Sequence, residues 1–134
     1  QLQYLELLKD LQKQFGMALI FITHDFGIVA TICDRVAVMY AGRIVETAST
    51  RDIFNHPCHH YTDALLKSVP KLEVDIDRLA SIPGQPPSGL DSSFVGCKFA
   101  PRCAKRSSKC VDEEPQLVTI HNGHYVRCWY PREA

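Results

Sequence analysis

Residues 17–25 read Met-Ala-Leu-Ile-Phe-Ile-Thr-His-Asp, a continuous apolar run that ends in three polar side chains. Because the run lacks the alternation of a half-buried strand, it predicts a strand that is covered on both faces. Such strands form the mostly parallel sheets of α/β proteins, in which ligands bind beyond the carboxyl ends of the strands. His24 lies at that end, so we predict either a ligand contact, for example to a phosphate or a water molecule, or a structural histidine paired with its neighbours.

Helices and hairpins are predicted on either side of this strand. Apolar residues recur at helical spacing between Tyr4 and Phe15, and Gly16 can end that helix. Ala41-Gly42 and Asn122-Gly123 lie between apolar runs, as expected for the tight turns of two hairpins. The predicted elements are helices over 4–15, 26–33 and 61–69, a short helix capped by Thr50, and hairpins of strands 35–40 with 43–46 and 116–120 with 125–130.

Residues 70–90 divide the sequence, because their prolines and glycines favour extended, turn-rich backbone. The helix-to-strand order before this stretch predicts an α/β unit over residues 1–69. Residues 91–134 combine a hairpin with cysteine-bearing loops and predict a small α+β domain. We therefore predict two domains joined by a linker.

The chain has 134 residues, enough for one modest domain or for a small domain and part of another. Its 15 lysines and arginines balance 15 aspartates and glutamates, so no net charge attracts it to nucleic acid or to an anionic membrane. The longest apolar run is too short to span a bilayer, and the first residues do not form a secretory signal. We therefore expect a reducing environment, in which the six cysteines do not form structural disulfides. The chain begins without methionine and without a helix cap, so we expect it to be part of a longer protein.

Four cysteines in the last part of the chain form a candidate metal site: Cys97, Cys103, Cys110 and Cys128. Four thiolates that converge on a small volume can bind either a tetrahedral zinc ion or an iron–sulfur cluster. The gaps between successive cysteines exceed the roughly two to four residues typical of zinc ribbons, which favours an iron–sulfur cluster. A zinc site that uses His121 or His124 is less favoured, because a two-residue turn tends to hold both side chains toward solvent. Reduced thiols in a small core, or disulfides, are the remaining alternative.

A metal site of this kind need not be catalytic. Metal binding supplies folding free energy directly to a small domain, which favours a structural role. The rival is a stand-alone iron–sulfur or zinc domain in which the metal site itself senses or transfers electrons. The lysines and arginines near the cysteines offset the thiolate charge. A nucleic-acid patch built from them would give salt-dependent oligonucleotide binding, which we do not expect.

Two sets of motifs resemble those of ABC transporter ATPases. The first set resembles the carboxyl-terminal part of the ATPase subunit and comprises Ile22-Thr23-His24-Asp25, residues 33–39 and residues 41–46. The second set resembles the carboxyl-terminal extension of the dipeptide/oligopeptide or nickel importers and comprises His56-Pro57, residues 59–62, residues 82–87 and residues 96–103. Together they cover nearly the whole chain, and the second set is the more specific.

The resemblance implies the carboxyl-terminal part of a P-loop NTPase domain, followed by a cysteine-bearing extension. It implies an ATP-hydrolysing subunit that is peripheral to the cytoplasmic face of the bacterial inner membrane, with transmembrane permease subunits and a second ATPase subunit as partners. His24 matches the switch histidine that contacts the γ-phosphate and the attacking water. Cys97, Cys103, Cys110 and Cys128 match the ligands of a [4Fe–4S] cluster, for which zinc is the alternative.

The sequence also departs from the family pattern. The chain contains no glycine-rich phosphate loop, no Leu-Ser-Gly-Gly-Gln signature and no apolar strand ending in Asp-Glu before His24. We therefore predict that ATP and Mg²⁺ bind only in the full-length parent and that this chain alone does not hydrolyse ATP. His60 stands where the subfamily usually has proline, which frees its backbone φ. Without neighbouring strands, residues 17–23 would leave apolar faces open, so we expect copies of the chain to associate.

Overall fold

A computed structural model describes residues 2–68 and 95–133. The chain divides into two compact units, residues 1–34 and residues 35–134. The first unit contains helices α1 (Leu2–Phe15) and α2 (Phe26–Ile32). The second contains β1 (Arg35–Tyr40), β2 (Arg43–Ser49), α3 (Thr50–Asn55), α4 (His60–Ser68), a 3₁₀ turn (Ala100–Arg102), α5 (Ser108–Asp112), β3 (Val118–His121) and β4 (His124–Val126).

The two helices of the first unit confirm the periodicity in the sequence. Helix α1 ends at Phe15 and is followed by Gly16, whose φ of 63° lies in the left-handed region that a residue without a Cβ adopts most easily. Helix α2 begins after Asp25, whose side chain accepts hydrogen bonds from the backbone N–H groups of Gly27 and Ile28. None of the described helices is both long and apolar enough to cross a membrane.

The predicted buried strand over residues 17–23 is wrong. These residues form neither helix nor strand, and Ile20 and Ile22 are 90% and 97% exposed. A strand exists only where a neighbouring strand pairs with its backbone N–H and C=O groups. The described part of the chain places no strand beside this segment. The apolar pattern indicates a need for burial, but the described residues do not supply the covering elements.

The four described strands form one antiparallel sheet in the order β1-β2-β4-β3. The expected mostly parallel sheet is therefore not what the described residues form. Both hairpins are confirmed, and Gly42 and Gly123 adopt positive φ values of 78° and 77° in their turns. Strand β2 pairs with β4 through Glu46–Val126 and Thr47–Tyr125, so the two hairpins join edge to edge.

The predicted linker over residues 70–90 lies outside the described residues, and the two-domain division stays a prediction. The described segments on either side of it share a sheet through the β2–β4 pair. They also share a core. Its buried members are Val38, Tyr40, Val45, Ala48, Ile53, Phe99 and Cys103.

The first helix of the second unit differs in one detail from the sequence prediction. Ser49, not Thr50, is the N-cap of α3, because the Ser49 hydroxyl accepts the N–H of Asp52 at 3.1 Å. Aromatic contacts then tie α4 to the cysteine-bearing segment. The Phe99 ring lies 5.3 Å from the ring of Tyr40 and 5.2 Å from that of Tyr61. This packing places residues 97–103 against the sheet.

Candidate metal centre

The four predicted ligands, Cys97, Cys103, Cys110 and Cys128, line one small cavity of about 20 Å³. All four are free thiols. Cys110 and Cys128 are separated in sequence by the hairpin of β3 and β4, yet the structure places both on the same cavity as Cys97 and Cys103. His59, Phe99 and Trp129 also line the cavity, so its wall is largely apolar and aromatic.

Local backbone contacts position the cysteines. The N–H of Cys97 donates to the carbonyl oxygen of Cys110 at 2.7 Å, which fixes the loop before the 3₁₀ turn against α5. Gly96 allows this approach, because a Cβ at that position would collide with the carbonyl oxygens of Cys110 and Val111. Cys103 ends the 3₁₀ turn and donates its N–H to Ala100 at 3.1 Å. Four cysteines from three segments of chain therefore face one volume.

Backbone N–H groups just after three of the cysteines interact with their sulfur atoms. The groups belong to Phe99 and Ala100 for Cys97, to Lys105 for Cys103, and to Tyr130 for Cys128. A backbone donor stabilises a thiolate and so lowers the pKa of the thiol. Such donors are also among the interactions that tune metal–sulfur clusters.

Burial nevertheless dominates the ionisation of these thiols. It raises the pKa of Cys97 and Cys103, and it raises the pKa of Cys128 to about 12. The neighbouring cysteines add to the rise, because each thiolate would repel the next. Metal binding would therefore have to release protons from Cys97, Cys103 and Cys128.

A second group of potential ligands lies beside the cavity. Among residues 2–68 and 95–133, Glu46, Cys58 and His124 form the one group of three whose ligand atoms all lie within 4.8 Å of one another.

Glu46 is fully buried and its carboxylate is already satisfied by hydrogen bonds. Its Oε2 accepts the N–H of Cys58 at 2.8 Å and faces Nε2 of His124 at 2.6 Å. Its Oε1 accepts the N–H of His59 at 2.8 Å. A metal ion here would displace the bond to His124, so the arrangement acts as a hydrogen-bond network that joins β2, the segment before α4, and β4.

His124 corrects one expectation drawn from the sequence. The turn was expected to hold His121 and His124 toward solvent, but only His121 is exposed and His124 is 1% exposed. The β2–β4 pairing carries His124 inward, which no local pattern predicted. Glu46 could have indicated from the sequence that a buried hydrogen-bond donor lies nearby, because a carboxylate between apolar positions of a strand needs donors when it is buried.

His59 is a functional candidate that the sequence did not single out. Its side chain is 1% exposed and lines the cavity of the four cysteines. Burial, with a smaller contribution from the charge of His60, lowers the pKa of His59 to about 4. The neighbouring His60 differs, because its Nε2 pairs with the carbonyl oxygen of Tyr130 at 2.8 Å.

His24 lies in the first unit, whereas the four cysteines belong to the second. It is exposed and directly precedes Asp25, the cap of α2. Its predicted contact with a γ-phosphate stays a prediction.

Comparison with known proteins gives a consistent result. Residues 45–110 match the family described as the oligopeptide/dipeptide transporter, C-terminal region. The chain is 45% identical over 133 residues to the oligopeptide transport ATP-binding protein AppD of Bacillus subtilis, covering 99% of this chain. It is 48% identical over 135 residues to the probable peptide ABC transporter ATP-binding protein y4tR of Sinorhizobium fredii, and 44% identical over 131 residues to the dipeptide transport ATP-binding protein DppD of Escherichia coli. The chain spans about 40% of the length of each of these relatives.

Proposed function

We propose that the chain is part of the ATP-binding subunit of a bacterial peptide importer, because residues 45–110 match the C-terminal region of oligopeptide/dipeptide transporters. The observation that carries the proposal is the similarity to peptide transport ATP-binding proteins over 98% or more of the chain. The parent protein would hydrolyse ATP on the cytoplasmic face of the inner membrane, together with permease subunits and a second ATPase subunit. Dipeptides and oligopeptides are the favoured solutes, because those words recur in the relatives' names.

His24 would contact the γ-phosphate in that parent protein. Phosphoryl transfer depends on donors positioned around the γ-phosphate rather than on covalent chemistry by the protein. The phosphate loop and the Mg²⁺ ligands would come from parts of the parent that this chain does not contain. ATP and Mg²⁺ would therefore bind the parent and not the isolated chain.

The test measures ATP hydrolysis by the full-length protein assembled with its permease subunits in membrane vesicles. We expect peptide to stimulate hydrolysis and His24→Ala to lower the rate by about a hundredfold, the usual effect of removing one donor from a charged transition state. His121→Ala, the same change at another exposed histidine, should leave the rate unchanged. A His24→Ala protein that keeps the wild-type rate would refute the assigned role of His24.

We further propose that the four cysteines ligate a [4Fe–4S] cluster within this chain. Their common cavity and the backbone donors at three sulfurs support a site for bound thiolates. The gaps between these cysteines in the sequence favour the cluster over zinc, because they exceed the roughly two to four residues typical of zinc ribbons. The cluster would tie three segments of the second unit together, so we propose a structural role for it.

The test is metal and sulfide analysis of protein purified without oxygen. We expect about four irons per chain and visible absorption that Cys110→Ser abolishes. Cys33→Ser is the matched control, since Cys33 lies in the first unit and should not affect the iron content. Stoichiometric zinc without iron would contradict the iron–sulfur assignment and support the zinc alternative.

A further inference from the structure

The buried imidazole of His59 has one nitrogen that pairs within the chain and one that does not. Nδ1 accepts the backbone N–H of Tyr61 at 3.0 Å. Nε2 has no partner at hydrogen-bond geometry among the described residues, although it is shielded from solvent. The backbone of Arg127 interacts with the ring and raises the pKa of His59, an effect smaller than that of burial. An unpaired buried polar atom costs about 1–3 kcal/mol, so its presence calls for an explanation.

The bond to Tyr61 fixes which nitrogen carries the proton. Since Nδ1 accepts a hydrogen bond, its lone pair is occupied, and the hydrogen of the neutral ring resides on Nε2. Nε2 can therefore donate a hydrogen bond but has no free lone pair for a metal ion. Ligation through Nε2 would require an imidazolate or the loss of the Tyr61 bond.

The surroundings of His59 hold the ring in this position. The N–H of His59 is anchored on Oε1 of Glu46 at 2.8 Å. The ring packs edge-on near Phe99, with centroids 5.9 Å apart and an interplanar angle of 62°. Backbone and ring are thus both constrained, and the side chain lines the same cavity as the four cysteines.

We propose that His59 donates its Nε2–H to a sulfur atom of the cluster held by the four cysteines, either a cysteine thiolate or a bridging sulfide. The inference rests on the proposed [4Fe–4S] site. Two other side-chain donors in the cavity wall are used elsewhere: Nε2 of His60 pairs with Tyr130, and the indole N–H of Trp129 donates to the carbonyl oxygen of Glu113 at 2.9 Å. Lys105 and Tyr130, which also line the cavity, are exposed, whereas His59 is buried.

A donor at this position would alter the reduction potential of the cluster. Adding an electron increases the negative charge on the sulfurs, and a hydrogen bond to sulfur is stronger when that charge is larger. The His59 bond therefore stabilises the reduced state more than the oxidised state. Its removal should make the cluster harder to reduce.

Two substitutions of His59 distinguish the role of Nδ1 from that of Nε2. In His59→Asn the side-chain oxygen can replace Nδ1 as acceptor for Tyr61, but no donor reaches the position of Nε2. In His59→Gln the longer amide can place an N–H near the position of Nε2. Wild-type and variant chains are purified without oxygen, analysed for iron and titrated with a reductant while the reduced cluster is followed by electron paramagnetic resonance.

We expect His59→Asn to keep its iron and to shift the reduction equilibrium about tenfold toward the oxidised cluster, about 59 mV for a one-electron couple. His59→Gln should recover most of this shift. His121→Asn, the same change at an exposed histidine of the same unit, should leave the potential unchanged. In wild-type protein with ¹⁵N-labelled histidine, pulsed resonance should detect a weakly coupled ring nitrogen.

Other outcomes overturn the inference in distinguishable ways. A folded His59→Asn chain with iron and an unchanged potential refutes the donor role and leaves the cluster in place. Loss of iron from a folded His59→Asn chain, or strong coupling to nitrogen in the wild type, would make His59 a ligand instead. If His59→Asn does not fold, the wild-type resonance spectrum decides alone, and absent coupling counts against the donor. A wild-type chain without iron would refute the cluster and this inference together.

Discussion

Replacing Glu46 by glutamine tests whether the buried carboxylate holds the second unit together. The carboxylate accepts three hydrogen bonds, from the N–H groups of Cys58 and His59 and from Nε2 of His124. A glutamine can keep an oxygen on one side only, so its NH₂ group faces at least one N–H donor. The substitution thus loses at least one hydrogen bond to a charged group, worth about 1.5–3 kcal/mol, and leaves a buried donor unpaired. We expect a loss of about 3 kcal/mol in the free energy of unfolding.

The assay is urea unfolding followed by the fluorescence of Trp129, the one tryptophan of the chain, which lies in the second unit. Glu114→Gln is the matched control, because Glu114 pairs with Arg43 at 2.8 Å in a partly exposed salt bridge. Exposed ion pairs contribute at most about 1 kcal/mol, so this control should change little. If Glu46→Gln lowered the free energy of unfolding by less than about 1 kcal/mol, or by no more than Glu114→Gln does, the buried carboxylate would not hold the second unit together.

Three further predictions concern other parts of the chain. Burial and the charge of Glu46 raise the pKa of Cys58 to about 11 from 9.0. The unfolded chain therefore loses this proton at lower pH than the folded chain, and the free energy of unfolding should fall between pH 9 and 11. Urea unfolding should show a smaller fall over this pH range in Cys58→Ala than in the wild type. Ile53 is 0% exposed, so Ile53→Ala should cost about 2–5 kcal/mol in the same measurement, whereas Ile44→Ala, at a residue 37% exposed, should cost clearly less. Ile20→Ser should leave the melting temperature unchanged and reduce self-association in sedimentation, because Ile20 is 90% exposed; a large fall in stability would show that it is buried in solution.

The elements that the sequence predicted correctly are those determined by neighbouring residues. Both hairpins follow from glycine-containing turns between apolar runs, and α1 follows from helical periodicity that ends at Gly16. The strand over residues 17–23 failed for a different reason. An apolar pattern states that a segment needs burial, but whether it becomes a strand depends on partner strands, and the described residues provide none. The pairing of β2 with β4 was likewise not predicted, because neither hairpin sequence identifies its partner.

The candidate site likewise contains residues that the sequence identified and residues whose positions depend on non-local contacts. The residue types and spacing of the four cysteines indicated a shared metal site, and the structure places all four on one cavity. The position of His59 and the burial of His124 were missed, because both depend on non-local contacts with Glu46. A motif-based interpretation identifies groups that are chemically distinctive by themselves. It does not find the ordinary side chains that hold such groups in place.

The contacts of Glu46 link the cysteine cavity to the β2 strand. One carboxylate oxygen holds the backbone of His59, whose ring lines the cavity, and the other faces His124 in β4, the strand that leads to Cys128. Two walls of the cavity are therefore positioned from a single residue that lies far from the cysteines in sequence. Since a buried polar network is stable only when every member is satisfied, damage at Glu46 should loosen both walls together. The proposed metal site would therefore depend on a strand that precedes the predicted linker, because Glu46 lies in β2.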